Sequence, residues 1–235
     1  MRNNLQIQEI KDTHSHAVQL HNIVPDWKID FLKEHYENAA DVRKVQKETG
    51  PKVLYVREGA EVIDDILMSL RTEFGNFRVR SAHFFEVEHP HVIHNDDDFD
   101  YPKAYKAFTI PIHTEGAKSD NAKLIMFNQY YYGGPRKFMN GGPVQKKNYY
   151  NSHLYEYTKV ENKDNTGIPE KFKKFYLSHL KENWLQGLSV DRYFPWQIGS
   201  IIAFDSLQLH CASDFRQAGI TKKLGLSIFT ELEWN

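Results

Sequence analysis

The segment GSIIAFDSLQLHCASDF, residues 199–215, contains two short apolar runs separated by a polar turn. The run that follows Gly199 and ends at Phe204 is almost continuously apolar, as in strands that are buried on both faces. After the turn the apolar pattern resumes and reaches His210. The segment therefore predicts a buried pair of strands with a histidine at its mouth, where an imidazole can serve as a metal ligand.

The rest of the chain places strands around this pair and helices before them. Strands are predicted at 53–58, 77–88, 104–116, 122–134 and 222–234. Helices are predicted at 27–48, 60–74 and 169–188. Because helices come first and strands dominate later, the pattern favours an α+β fold with a mainly β core, an antiparallel sandwich or barrel with helices on one face. It disfavours alternating βαβ units.

Composition narrows the class of protein. The chain has 235 residues, 40% of them hydrophobic, with 30 basic and 31 acidic side chains, which suits one large domain with no nucleic-acid or membrane partner. Cys211 is the one cysteine, so no disulfide can form within the chain and a reducing compartment is expected. The first residues lack an apolar core and no apolar run is long enough to cross a bilayer. We therefore expect a cytoplasmic protein, with the oligomeric state left open.

A candidate metal site lies in HVIHNDDDFDY, residues 91–101. Residues i and i+2 of an extended segment point to the same side, so His94 and Asp96 can project together. One imidazole and one carboxylate are two of the three ligands of the 2-His-1-carboxylate triad, and His210 is placed to be the third. The other acidic residues of the stretch are predicted to be turn or surface residues: Asp97, Asp98 and Asp100.

Two other pairs have the same spacing. His35 lies with Glu37 in a predicted helix, where residues two apart diverge, and the pair is set aside. His113 and Glu115 follow a predicted strand and remain a rival for the metal.

Three motifs occur in the order H94-N-D96, G199-S-I-I-A-F-D-S-L-Q-L-H210 and K222-K-L-G-L-S-I-F. Together they resemble the iron(II)/2-oxoglutarate-dependent oxygenases, in particular the phytanoyl-CoA and prolyl hydroxylase branches. The resemblance implies a double-stranded β-helix (jelly-roll) core from about residue 77 to the end. It implies a single oxygenase domain over 1–235, in which 1–76 is mostly helical support and 133–188 is a loop-helix insertion in the 77–235 core.

The resemblance also implies the roles of individual residues. His94, Asp96 and His210 would bind Fe(II), while Lys222, at the start of the strand after the distal histidine, would hold the far carboxylate of 2-oxoglutarate. Strand alternation places Lys222 and Lys223 on opposite faces, so only one can point inward.

Two further side chains are weaker candidates for the cosubstrate. Arg216 is a rival to the lysines, and Ser213 is a candidate contact to 2-oxoglutarate.

The implied reaction consumes 2-oxoglutarate and O₂, releases succinate and CO₂, and hydroxylates an unactivated C–H bond of a small-molecule or amino-acid-like substrate. The family's halogenases have Gly or Ala where this chain has Asp96, so hydroxylation is favoured over halogenation. The alternatives are a cupin-like metalloenzyme that does not use 2-oxoglutarate, with His113 or Glu115 involved, and a non-catalytic jelly-roll binding protein.

The long segment 133–167, rich in Gly, Asn and Tyr, is either a lid over the site or a surface loop. Arg78 and Arg80 share a strand face, where they either bind an anionic substrate or are solvated.

Overall fold

A computed structural model describes residues 4–44, 51–57, 59–97, 103–132, 167–185 and 187–233. The helices are α1 (Asn4–Lys11), α2 (Asp26–Glu37), α3 (Glu61–Phe74) and α4 (Glu170–Tyr176), with short 3₁₀ turns at Ser119–Asn121 and Glu182–Trp184. The strands are β1 (Val18–Leu20), β2 (Arg43–Lys44), β3 (Lys52–Val56), β4 (Phe77–Val87), β5 (Ala104–Gly116), β6 (Lys123–Tyr130), β7 (Val190–Pro195), β8 (Ile201–Asp205), β9 (Gln208–Ala212) and β10 (Ile220–Leu232). Apart from Gly167, the predicted lid or loop at 133–167 lies outside the described residues.

The strands form two antiparallel sheets. The larger has the order β1-β8-β5-β10-β4-β3-β2, and the smaller has the order β7-β6-β9. A further bridge joins His94 to His210, so the loop after β4 extends the smaller sheet at its β9 edge. The α+β class with a mainly β core is therefore confirmed.

Helices α2 and α3 cover the outer face of the larger sheet. Helix α3 is amphipathic, and its apolar stripe packs against β4, β5 and β10. The buried residues of that stripe are Val62, Ile63, Ile66, Leu67 and Leu70. Each such side chain contributes about 1.5–3 kcal/mol when it leaves water, which fixes the helix layer on this face.

The alternation along β10 decides which side chains point between the two sheets. Leu224, Leu226 and Ile228 pack into the helix-covered core. The residues between them face the smaller sheet, where Lys223, Ser227 and Phe229 line a cavity.

Two predicted helices are shorter than expected. Helix α2 ends at Glu37 instead of continuing to residue 48, because 37–41 offers no large apolar side chain to pack. At the helix end the N–H groups of Asn38 and Ala39 donate to the carbonyls of Glu34 and Tyr36. Helix α4 ends at Tyr176 instead of residue 188. At this end the carbonyl of Tyr176 accepts the N–H of Asp214, and the hydroxyl of Ser178 donates to the Asp214 carboxylate. The residues that follow pack on the outer face of the smaller sheet: Leu177, Leu180, Trp184, Leu185 and Leu188.

The N-terminal part contributes more than helical support. Strands β1, β2 and β3 extend the larger sheet at both of its edges. Of these, only β3 was predicted. In the described residues no helix combines the length and the apolar character needed to cross a membrane.

Candidate metal centre

The two sheets bring His94, Asp96 and His210 together. One potential ligand atom from each residue lies within 4.8 Å of the others. The Nε2 atoms of His94 and His210 lie 3.6 and 3.4 Å from the two carboxylate oxygens of Asp96. Ligand bonds to a transition metal are roughly 2.0–2.2 Å long, so one ion can bind all three atoms with small adjustments.

Both imidazoles are oriented by their other ring nitrogen. The Nδ1 atom of His94 lies 2.8 Å from the carbonyl of Val92, and that of His210 lies 2.9 Å from the carbonyl of Gln208. A carbonyl can only accept, so each Nδ1 carries the proton and each Nε2 presents a lone pair to the ion. Such partners fix the tautomer and the ring orientation of metal ligands.

The backbone holds the three ligands in place. His94 and His210 exchange two N–H to carbonyl bonds, both 2.9 Å, and the N–H of Asp96 donates to Ser206 at 2.8 Å. Arg80 donates from Nη2 to the carbonyl of Asp96 at 2.8 Å. Burial raises the pKa of Asp96, while its interactions with His210 and Arg80 act in the opposite direction. A buried carboxylate beside two imidazole lone pairs is a donor set that a divalent cation completes.

The triad opens into a cavity of about 260 Å³ between the sheets. Its wall is mostly apolar, with a few polar groups, as in sites for small molecules. The lining residues are Pro51, His83, Phe85, Val87, His91, Thr109, Leu124, Trp196, Ala212, Lys223, Ser227 and Phe229, together with the triad.

Among the described residues that line this cavity, Lys223 is the one cation. Its side chain is 3% exposed, and Nζ lies 3.6 Å from the ring centroid of Trp196 and 5.0 Å from that of Phe215. In the described part of the chain no carboxylate or hydrogen-bond acceptor pairs with it. Burial lowers the pKa of Lys223 to about 7.

The structure places Lys222 outside the cavity, contrary to the choice made from the sequence. Its Nζ lies 2.6 Å from Glu115 on β5 and 4.0 Å from Glu86 on β4. The hydrogen bond to Glu115 raises the pKa of Lys222. Period-2 alternation accounts for the difference, because the side chains of Lys222 and Lys223 leave β10 on opposite faces.

The other predicted cosubstrate contacts also lie away from the cavity lining. Arg216 is exposed and donates from Nη1 to the carbonyl of Glu88 at 3.3 Å. The buried hydroxyl of Ser213 accepts the N–H of Lys123 at 2.8 Å and so ties β6 to the turn after β9. The rival pair His113 and Glu115 does not converge with the triad.

Several residues near the triad have roles that sequence reasoning did not assign. His91 lines the cavity, and its ring centroid lies 4.1 Å from that of His94. Asp97, predicted at the surface, is buried, and Asp98 and Asp100 lie outside the described residues. The ring of Trp196, which is buried in the core, lies under Nζ of Lys223.

The two arginines of β4 differ in exposure: the side chain of Arg78 is 57% exposed, whereas Arg80 is partly buried. Arg78 forms an ion pair with Glu231 on the neighbouring strand, whereas Arg80 supports the ligand loop.

No family model and no curated protein sequence matches the chain. Its backbone is similar to those of solved non-haem iron oxygenases. A Pseudomonas putida prolyl-4-hydroxylase is 12% identical with a TM-score of 0.50, over 96% of this chain and 97% of its own. The α-ketoglutarate-dependent epimerase SnoN from nogalamycin biosynthesis is 9% identical with a TM-score of 0.53, over 97% and 83%.

A second SnoN structure contains Fe³⁺, α-ketoglutarate and nogalamycin RO, and matches with a TM-score of 0.52 at 8% identity, over 97% of this chain and 84% of its own. At such low identities the likeness shows the fold. The predicted resemblance to iron/2-oxoglutarate oxygenases is thus confirmed at the level of the fold.

Proposed function

We propose that the chain is an Fe(II)- and 2-oxoglutarate-dependent dioxygenase, a single jelly-roll domain that hydroxylates a C–H bond of a small molecule. The observation that carries the proposal is the presence of two complementary sites in one cavity. Three side chains that could hold a metal ion line the same cavity as the buried cation Lys223, which has no carboxylate partner among the described residues. A metal with open positions and a separate cation are what a 2-oxo dicarboxylate requires at its two ends.

His94, Asp96 and His210 would hold the iron. Three protein ligands leave positions open for the 2-oxo acid end of the cosubstrate and for O₂. The bound iron supplies the oxidising chemistry, in which 2-oxoglutarate is converted to succinate and CO₂ while the substrate is hydroxylated. SnoN, which shares the fold, has been solved with iron and this cosubstrate together.

Lys223 would hold the far carboxylate of 2-oxoglutarate. In the empty cavity its charge is disfavoured, and a carboxylate placed beside it stabilises the protonated ammonium. Trp196 fixes the position of Nζ from below and keeps water from that side. This assignment gives to Lys223 the role that the sequence assigned to Lys222.

Asp96 supports hydroxylation as the outcome. Its carboxylate occupies the ligand position that would have to be vacant for a halide. Arg80 and Ser206 hold its backbone, so the carboxylate is fixed toward the two histidines.

The test is an anaerobic titration of the protein with Fe(II) and 2-oxoglutarate, followed by the weak visible charge-transfer band of the chelate. Wild type should show the band and form succinate in air. Asp96→Ala should lose both, and Lys223→Met should require at least tenfold more 2-oxoglutarate. Lys222→Met is the matched control and should behave like wild type. Loss of the band in Lys222→Met but not in Lys223→Met would overturn the assignment, and no band in wild type would overturn the function.

A further inference from the structure

A row of three polar side chains crosses the larger sheet at a point that the proposed roles do not use. Ser227 on β10 is paired in register with His83 on β4 and with Thr109 on β5. All three side chains line the cavity. Cross-strand neighbours on one face lie about 4.5–5.5 Å apart at Cβ, so the three groups can contact one ligand atom or two adjacent ones.

The polar atoms of this row have no partner within the described residues. Thr109 and Ser227 are 7% and 8% exposed, and neither hydroxyl hydrogen-bonds to the described protein. The Nδ1 atom of His83 is likewise buried with no hydrogen-bond partner. Buried polar groups are almost always satisfied, so the orphaned Nδ1 atom of His83, in one row with two hydroxyls that line the cavity, points to a bound molecule.

The row is separate from the position of the cosubstrate carboxylate. The α-carbons of Lys223 and Ser227 are four positions apart on β10, which is roughly 13 Å along an extended strand. Between the two positions the rings of Phe85 and Trp196 pack directly against Gly225, where a Cβ would lie 2.7 and 3.0 Å from them.

The row carries no charge. Burial lowers the pKa of His83 to about 4, so its imidazole is neutral near pH 7 and offers one donor and one acceptor. The two hydroxyls add donors and acceptors without charge. Metal ligands apart, Lys223 is the one charged residue in the lining, and it is committed to the cosubstrate.

Aromatic rings flank the row. The imidazole of His83 lies 5.4 Å, between centroids, from the rings of Tyr55 and Phe229, and the Tyr55 ring is 64% exposed at the sheet surface. The cavity of about 260 Å³ must also hold the cosubstrate, so there is room only for a small molecule or for the end of a larger one.

We propose that His83, Thr109 and Ser227 form the substrate subsite, and that it binds an uncharged hydroxyl, amide or carbonyl group carried on an apolar, ring-containing body. The proposal rests on the proposed function, because the row is assigned to the substrate once Lys223 is assigned to 2-oxoglutarate.

Three probes of the same shape test the charge selectivity: benzamide, benzoate and benzylamine. Each is added to the full chain loaded with Zn(II) and 2-oxoglutarate, in which no turnover occurs, and binding is followed by ligand-observed NMR. Benzamide should bind at least tenfold more tightly than benzoate or benzylamine. Equal binding of benzoate, or binding of none of the three, would overturn the proposal.

Variants test the residues. His83→Phe keeps the ring packing, removes both nitrogens, and should weaken benzamide binding roughly tenfold, the size expected for one lost hydrogen bond. His83→Asn should restore part of the affinity, and Ser227→Ala gives an independent reading if His83→Phe folds poorly. Ser81→Ala is the matched control, because Ser81 lies on β4 with His83 but outside the cavity lining.

The affinity for 2-oxoglutarate separates the possible failures. It should stay within about twofold of wild type in each of these variants. If His83→Phe and Ser227→Ala weaken 2-oxoglutarate as much as benzamide, the row belongs to the cosubstrate and the inference is wrong. If wild type itself does not bind 2-oxoglutarate, it is the proposed function that fails.

Discussion

Replacing Lys223 with Met should make the protein without its cosubstrate more stable, although the same change should weaken 2-oxoglutarate binding at least tenfold. The ammonium is 3% exposed, stands against two aromatic rings, and has no carboxylate partner in the described residues. Methionine has a similar length and no charge, so it can occupy the same space without the cost of burying a cation.

The magnitude follows from the pKa. Burial lowers the pKa of Lys223 from 10.5 to about 7, and at 1.36 kcal/mol per pKa unit this corresponds to about 5 kcal/mol of destabilisation when the solution is well below pH 7. Water in the cavity and local relaxation reduce the realised value, so we expect Lys223→Met to gain about 2–4 kcal/mol at pH 6. For a domain of this size the melting temperature should rise by about 4–12 °C.

The sign of the pH dependence is fixed by linkage. The lysine is protonated in the unfolded state up to about pH 10.5 but loses its proton in the folded state near pH 7. Between these values the unfolded state binds more protons, so wild type gains stability as the pH rises. The advantage of Lys223→Met should therefore be largest at pH 6 and clearly smaller at pH 9.

Thermal denaturation of the metal-free protein at pH 6, 7.5 and 9 is the assay, with Lys222→Met as control. Lys222 forms an exposed ion pair, and such pairs contribute little, so its removal should hardly change the melting temperature. Saturating Fe(II) should raise the melting temperature of both proteins. Adding 2-oxoglutarate should then raise the melting temperature of wild type further, but not that of Lys223→Met. A lower melting temperature for Lys223→Met at pH 6, or a difference independent of pH, would refute the reasoning.

Three further predictions concern the same cavity and its support. The dissociation constant of 2-oxoglutarate should rise about tenfold per pH unit above pH 7, because binding then requires Lys223 to take up a proton. Isothermal titration calorimetry in buffers of different ionisation enthalpy measures both the affinity and the proton uptake. A dissociation constant that does not change from pH 6 to 9 would contradict the assignment. Gly225→Val should weaken 2-oxoglutarate binding at least tenfold with an unchanged circular dichroism spectrum, because a Cβ at this position would lie 2.7 Å from the ring of Phe85 and 3.0 Å from that of Trp196, which lies under Lys223. Wild-type affinity would mean that these rings accommodate the side chain without displacing Lys223. Lys106→Met should lower the free energy of unfolding by about 3–5 kcal/mol in denaturant titrations, because it leaves the charge of the buried partner Asp205 without a counter-ion. A change below about 1 kcal/mol would show that this ion pair contributes little to stability.

The sequence was sufficient for the ligands because their geometry is local or ordered along the chain. His94 and Asp96 are two residues apart in an extended segment, and His210 ends a buried strand pair that the apolar pattern reveals. Helix α3 was predicted almost to the residue, since its apolar stripe and Gly75 define both the face and the end. The strands β1 and β2 were missed because two or three residues carry too little periodicity to stand out.

The choice between Lys222 and Lys223 was beyond local pattern for a different reason. Alternation shows that the two side chains leave β10 on opposite faces, but both faces of this strand are covered, one by helices and the other by the smaller sheet. The residues after Lys223 alternate between large apolar and small or polar side chains, and that contrast marks the cavity side in hindsight. The choice of Lys223 is settled only by the position of Lys222, which lies beside Glu115 on β5 and Glu86 on β4. The sequence of β10 alone does not show where these two carboxylates lie.

The same contrast explains why one strand carries both proposed ligand contacts. The odd-numbered residues Lys223, Ser227 and Phe229 of β10 line the cavity, and the rings of Phe85 and Trp196 pack against Gly225 between them. The cation and the hydroxyl are not explained by packing, since each leaves the wall weaker than an apolar residue would. The even-numbered residues between these positions, Leu224, Leu226 and Ile228, are apolar and supply the packing on the other face. The strand thus combines a stabilising face with a destabilising one, and the destabilising face is where ligands are expected to bind.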